Sequence, residues 1–160
     1  MARLRSARAA TPTRLRSVVL ALLAALAPAA PAAAEAPPAV HVYKTPKCGC
    51  CDAWVDHLKA NGFRVTTENL ADLTMVKQMH RVPRPLHSCH TATVGGYVVE
   101  GHVPAADVKR LLAEKPKAVG IAVPDMPIGS PGMEGPNPVP YEVYRFDARG
   151  NTEVFARHAP

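Results

Sequence analysis

Aromatic residues are scarce in this chain of 160 residues, which has one Trp, four Tyr and three Phe. Basic blocks are also missing once the first 34 residues are set aside. Those residues hold Arg3, Arg5, Arg8, Arg14 and Arg16 and no acid, so residues 35–160 carry 14 basic against 13 acidic side chains. The formal charge of +6 therefore belongs mostly to the N-terminal segment, and nucleic-acid binding loses its electrostatic footprint. No stretch after the leader is long and apolar enough to span a bilayer, and no internal repeat occurs. Nothing resembles a Ser-His-Asp triad, a phosphate loop or paired carboxylates placed for hydrolysis. Cysteine is rare as well, with four in all.

The leader itself is informative. Its arginines precede an apolar run from Val18 to Ala27, and Ala32-Ala33-Ala34 fits a small-residue cleavage site, the order expected of a secretory signal peptide over 1–34. The run is about half of the roughly 20 residues a membrane span needs. An uncleaved anchor is the alternative, and the well-formed cleavage tract disfavours it. No adjacent arginine pair supports twin-arginine export. The expectation is an exported, periplasmic protein with no membrane attachment after cleavage, its residues 35–160 forming a single domain.

An oxidising compartment favours disulfides between spread-out cysteines. Here three of the four fall within Cys48-Gly49-Cys50-Cys51. Four cysteines allow three pairings, and a bond between adjacent Cys50 and Cys51 would be strained. The density points to a reactive or metal-binding site rather than to staples.

Local pattern places that cluster. His41 to Thr45 has strand composition and stops at Pro46. A helix follows from Asp52 to Ala60, with Trp54, Val55 and Leu58 on one face and Asn61-Gly62 as its stop. Phe63 to Thr67 alternates as a second strand. Asp72 is a candidate N-cap for a helix carrying Leu73, Val76 and Met79. Thr91–Val94 and Tyr97–Glu100 read as a hairpin around Gly95-Gly96, and Pro104 opens a third helix with Val108, Leu111 and Leu112. Residues 120–135 are too rich in Pro and Gly for regular structure and form an ordered loop, with Met126 and Met133 in it. Tyr141–Phe146 and Asn151–Phe155 make a closing hairpin. The fold class is α/β, and the order β-α-β-α-β-β-α suits a thioredoxin-like sheet with a Pro/Gly/Met-rich loop and a C-terminal β-hairpin.

Thiolates at a strand-to-helix turn meet the positive end of the helix dipole, which lowers thiol pKa. Soft sulfur ligands suit copper(I), and bridging sulfurs can hold more than one ion. In such a fold the loop before the third strand faces the first helix's N-terminus, which brings Cys89 to the cluster as a fourth sulfur. A disulfide to one of the three is the alternative for Cys89. His87 and His90 flank it, and His102 precedes the third helix on the same side. Met126 and Met133 have no helix face to fill, and thioethers favour copper over zinc. Met75 and Met79, at i, i+4, read as core. His57 reads as a surface residue, His41 and His158 as solvated, and His80 is undecided.

Several motifs in order carry a resemblance: Lys47-Cys48-Gly49-Cys50-Cys51 with Trp54; Val82-Pro83; Leu86 with Ser88-Cys89-His90-Thr91; Glu100-Gly101-His102-Val103-Pro104; and Gly120-Ile121-Ala122-Val123-Pro124 through Gly129 to Glu134. From about His41 to Phe155 the chain resembles the CopG-type copper-resistance proteins, a family long catalogued as a domain of unknown function. The resemblance implies a thioredoxin-like fold, a periplasmic location and a thiolate-bridged copper centre. Carried onto this chain, its ligands are Cys48, Cys50, Cys51 and Cys89, with His90, His102, Met126 and Met133 as further candidates. The leading expectation is a periplasmic copper(I)-binding protein for copper resistance, working with copper ions and other periplasmic copper-handling proteins. Whether it also interconverts copper's oxidation states is open. One rival is a thiol-disulfide oxidoreductase using Cys48 and Cys51. A structural zinc module is another.

Overall fold

Alternation in the segment Ala39–Lys44 sends Val40 and Val42 into the core and leaves His41 and Tyr43 on the other face, which makes it β1. The computed structural model describes residues 36–160, and the leader expected over 1–34 lies outside them. Within the described residues three α-helices accompany one seven-stranded sheet, a mixed α/β architecture.

The chain runs β1, α1 (Gly49–Ala60), β2 (Arg64–Asn69), α2 (Thr74–Met79), a short 3-10 turn over Arg84–Leu86, then β3 (Thr91–Val94) and β4 (Tyr97–Glu100). It continues through α3 (Ala105–Glu114), β5 (Gly120–Ala122), β6 (Tyr141–Phe146) and β7 (Thr152–His158). Sheet order is β2-β1-β3-β4-β5-β6-β7. β1 pairs parallel with β2 and antiparallel with β3, and β4 pairs parallel with β5. The remaining neighbours are antiparallel. β2 lies at the edge, which suits its polar sequence RVTTEN. Gly95 and Gly96 both take positive φ (55° and 85°), the backbone a two-residue hairpin turn requires.

One face of the sheet packs against α1 and α3, whose Trp54, Val55, Leu58, Val108 and Leu111 meet Val42, Ala92, Val99 and Ile121. The smaller cluster of Val82, Leu86, Val98, Ala122 and Phe146 fills a second packing region. No helix of the described residues is long and apolar enough to cross a membrane.

Four expectations are corrected. The Pro/Gly segment is not wholly irregular: Gly120–Ala122 forms β5, fully buried between β4 and β6. Three residues are too few for a period to register in sequence. α1 begins at Gly49, three residues ahead of the expected start, so Cys50 and Cys51 lie inside its first turn. Met75 and Met79 are 64% and 66% exposed, because α2 turns Leu73, Val76 and Lys77 inward instead. The N-cap of α2 is Leu73 and not Asp72, which stands one residue further out and accepts from the Thr74 N–H (3.1 Å).

Candidate metal centre

The four cysteines converge where β1 hands over to α1. Cys48 stands at the N-cap, Cys50 and Cys51 follow in the first turn, and Cys89 comes from the loop before β3. All four sulfurs lie within 4.8 Å of one another. Cys48 and Cys51 are joined as a disulfide, and Cys50 and Cys89 are free. The disulfide considered for Cys89 is thus not formed. Cys50 Sγ sits 3.4 Å from Cys48 Sγ.

Cys89 also belongs to a second group, with His90 and His102. His102 Nδ1–H donates to the Pro131 carbonyl (2.8 Å), which leaves the Nε2 lone pair facing Cys89 Sγ at 2.9 Å. His90 Nδ1 is 3.3 Å from the same sulfur. The His90 ring lies 4.3 Å from that of Trp54, and Trp54 Nε1–H donates to the Val103 carbonyl (2.8 Å). His90 Nε2 is buried without a hydrogen-bond partner.

Burial governs the electrostatics. It pushes the Cys89 thiol up to about 12, with Cys50 adding to the effect, so the metal-free side chain is a protonated thiol. The thiolate expected at neutral pH therefore does not extend to Cys89. His90 is held well below the ordinary imidazole range by burial first, then by His102 and Lys77. Burial also lowers His102, against the opposing pull of the Pro131 carbonyl and Glu134. Both imidazoles are neutral, the form that ligates metals.

The Pro/Gly loop covers the site, as expected of an ordered loop. Gly132 (φ 83°) lies against α1 so closely that a Cβ there would sit 2.6 Å from the Cys50 carbonyl oxygen and 2.8 Å from the Trp54 nitrogen. Met133, next to it, is half-buried. Met126 is 47% exposed and lines a surface hollow with Pro140, Tyr141 and Tyr144, outside the sulfur cluster.

Other histidines depart from expectation. His57 is half-buried, and its Nε2 accepts the Ala105 N–H (3.0 Å) at the start of α3. His158 bonds Asp107 (2.7 Å) and stacks on Tyr141, because β7 extends past the expected Phe155. His87 contacts the Val82 carbonyl rather than the sulfurs. His41 lies near Thr66 and Glu68 on the sheet's exposed side.

Sequence reading missed Lys44, Lys77 and Glu100, all buried around the site. Lys44 Nζ reaches Asp52 (2.9 Å) in α1's first turn, and Lys77 Nζ reaches Glu100 (2.5 Å). Lys77 carried a signal of a kind: it lies one residue from Val76, on the side where α2 meets the sheet.

Four clustered sulfurs, two of them free thiols, with two neutral imidazoles on a mixed α/β sheet make this a cysteine-cluster protein of the α/β class, its side chains of the types that suit soft metals. Residues 86–133 match the family described as "Protein of unknown function, DUF411". A solved structure of "Copper resistance protein copG", Form 2, is 46% identical, with a TM-score of 0.73, covering 76% of this chain and 98% of that one. Form 1 is 45% identical, also at 0.73, covering 78% and 99%. No curated protein matches. The chain belongs to the CopG copper-resistance protein family.

Proposed function

We propose that this is a periplasmic copper(I)-binding protein of copper resistance, exported by the leader over 1–34. In this reading its sulfurs hold more than one ion through bridging thiolates. Cys48, Cys50, Cys51 and Cys89 are the ligands, with His90 and His102 completing or supporting the set and Met133 nearer to it than Met126. The observation that carries the reading is the convergence of four sulfurs within 4.8 Å in a chain related to copper-resistance proteins. Copper is the cargo; no residue is assigned a catalytic role. Other periplasmic copper-handling proteins are its natural exchange partners. The order β1-α1-β2-α2-β3-β4-α3, with β2-β1-β3-β4 as one half of the sheet, supports a thioredoxin-like class with β5–β7 added.

A second reading has its own support. The Cys48–Cys51 bond is the C-x-x-C pairing of a thiol-disulfide oxidoreductase. Opening it takes up two electrons, and closing it returns them, enough to reduce two copper(II) ions. One experiment separates the readings. The reduced protein is titrated anaerobically with copper(I) and with zinc, followed by thiolate-to-metal absorption. Binding of more than one copper, lost in the Cys50→Ser/Cys89→Ser variant, supports the first. Copper binding indifferent to that variant sinks it, and metal-independent disulfide exchange needing Cys48 and Cys51 alone selects the second. Tight zinc binding without copper absorption would select the structural zinc module.

A further inference from the structure

The carboxylate of Glu100 is fully buried at the end of β4, and every contact it makes is with a donor. Oε1 accepts from Lys77 Nζ (2.5 Å) and from the Ser88 backbone N–H (2.7 Å). Oε2 accepts from the Thr91 hydroxyl (2.7 Å), which Lys77 also meets (3.1 Å). One side chain thus grips residue 88 and residue 91, and the two residues between those grips are Cys89 and His90. Nearby contacts tighten the same segment. The Ser88 hydroxyl donates to the Asp125 carbonyl, and the Gly101 N–H donates to the His90 carbonyl (3.0 Å). Gly101 (φ 71°) leaves so little room that a Cβ would sit 2.5 Å from Ser88 Oγ.

We propose that Glu100, paired with Lys77, is a positioning residue that fixes the Cys89 sulfur against His102 and the CGCC turn. A buried ion pair is a costly way to obtain stability, since apolar residues of similar volume often serve as well. Its geometry here accounts for that cost. Ser88 lies ahead of β3, outside its ladder, and the carboxylate supplies the acceptor that a strand partner would give. Lys77 Nζ, the Ser88 N–H and the Thr91 hydroxyl place donors on both oxygens, so the carboxylate is held from two sides. The inference rests on the reading of Cys89 as a copper ligand only for its functional consequence. The positioning itself concerns the metal-free loop.

The test uses two readouts on the reduced protein: the alkylation rate of Cys89 without metal, resolved by peptide mass, and copper(I) affinity by chelator competition. Glu100→Asp keeps the charge pair and withdraws the carboxylate by one methylene. In the folded variant Cys89 alkylates several-fold faster, and copper affinity falls roughly 10- to 100-fold, the range for groups that orient ligands. Adding Cys89→Ser then lowers affinity no further. Lys77→Met/Glu100→Gln, neutral but with an amide oxygen left for Ser88, returns both readouts to wild-type values. Should Glu100→Asp fail to fold, Lys77→Met/Glu100→Leu removes the grip without stranding a charge, and the same changes are expected. A folded Glu100→Asp or Leu variant with wild-type Cys89 alkylation overturns the proposal, as does failure of the glutamine pair to restore it. A wild-type protein that binds no copper while Glu100→Asp still unmasks Cys89 removes the copper reading and leaves the positioning role in place.

Discussion

His102 Nε2 stands 2.9 Å from Cys89 Sγ, and the opposite nitrogen of the same ring is spoken for by the Pro131 carbonyl. A half-buried thiol and an imidazole lone pair thus face each other beside the sulfur cluster, with the ring held by the loop that covers it.

Replacing that imidazole should be felt at Cys89. His102→Phe fills similar space but offers neither a lone pair nor a donor for Pro131. Copper(I) affinity, measured by chelator competition, is expected to drop roughly 10- to 100-fold. An unchanged affinity in the folded variant would remove His102 from the site.

Redox state sets how many sulfurs are available. The protein as described has Cys50 and Cys89 free and Cys48 bonded to Cys51. Thiol titration of the unreduced, metal-free protein should therefore count two thiols, and four after reduction. Copper(I) capacity should rise in step. Capacity that does not change on reduction would mean that Cys48 and Cys51 take no part.

The covering loop depends on Gly132. Gly132→Ala places a Cβ 2.6 Å from the Cys50 carbonyl at a φ of 83°, so both strain and collision oppose it. A loss of about 1–3 kcal/mol is expected from the backbone term, with the collision added. Gly150→Ala, at φ 84° with nothing near its added carbon, is the control and should lose less. Denaturant midpoints compare the two.

Stability should fall on mild acidification. Burial lowers the His57 pKa in the folded protein, while Glu134 pulls the other way, so near its ordinary value of 6.5 the unfolded chain binds the proton more readily. The stabilisation is complete above pH 6.5 and is lost as pH falls from there towards the lower folded value. His57→Gln can still accept the Ala105 N–H but cannot titrate. Denaturation of the metal-free variant between pH 7.5 and 5.5 should show a shallower slope than the wild type; an equal slope would exclude His57 as a contributor. His90 and His102, lowered in the same direction, add to the slope, and Glu100, raised by burial, opposes it.

Much of this architecture is legible locally. The hairpin at Gly95-Gly96 is legible to its bounds, because two glycines between alternating β-rich runs leave the chain few other conformations. The helix face of Trp54, Val55 and Leu58 was legible for a similar reason, its spacing being the helical period itself. α2 misled, since Met75 and Met79 are as apolar as core residues, and sequence does not say that a six-residue helix has only one side to bury. β5 escaped because burial from both edges, not its own composition, makes it a strand.

The site divides along the same line. CGCC is dense enough that the sequence by itself determined a chemistry of soft sulfur ligands, whatever the surroundings. Tertiary structure alone decided which sulfurs are bonded, that Cys89 is a half-buried thiol and not a thiolate, and that Lys77 and Glu100 grip the loop holding it. Those properties arise from burial and from distances between residues far apart in the chain. A run of letters records residue types and spacings, but desolvation and through-space contact exist only once the chain has folded.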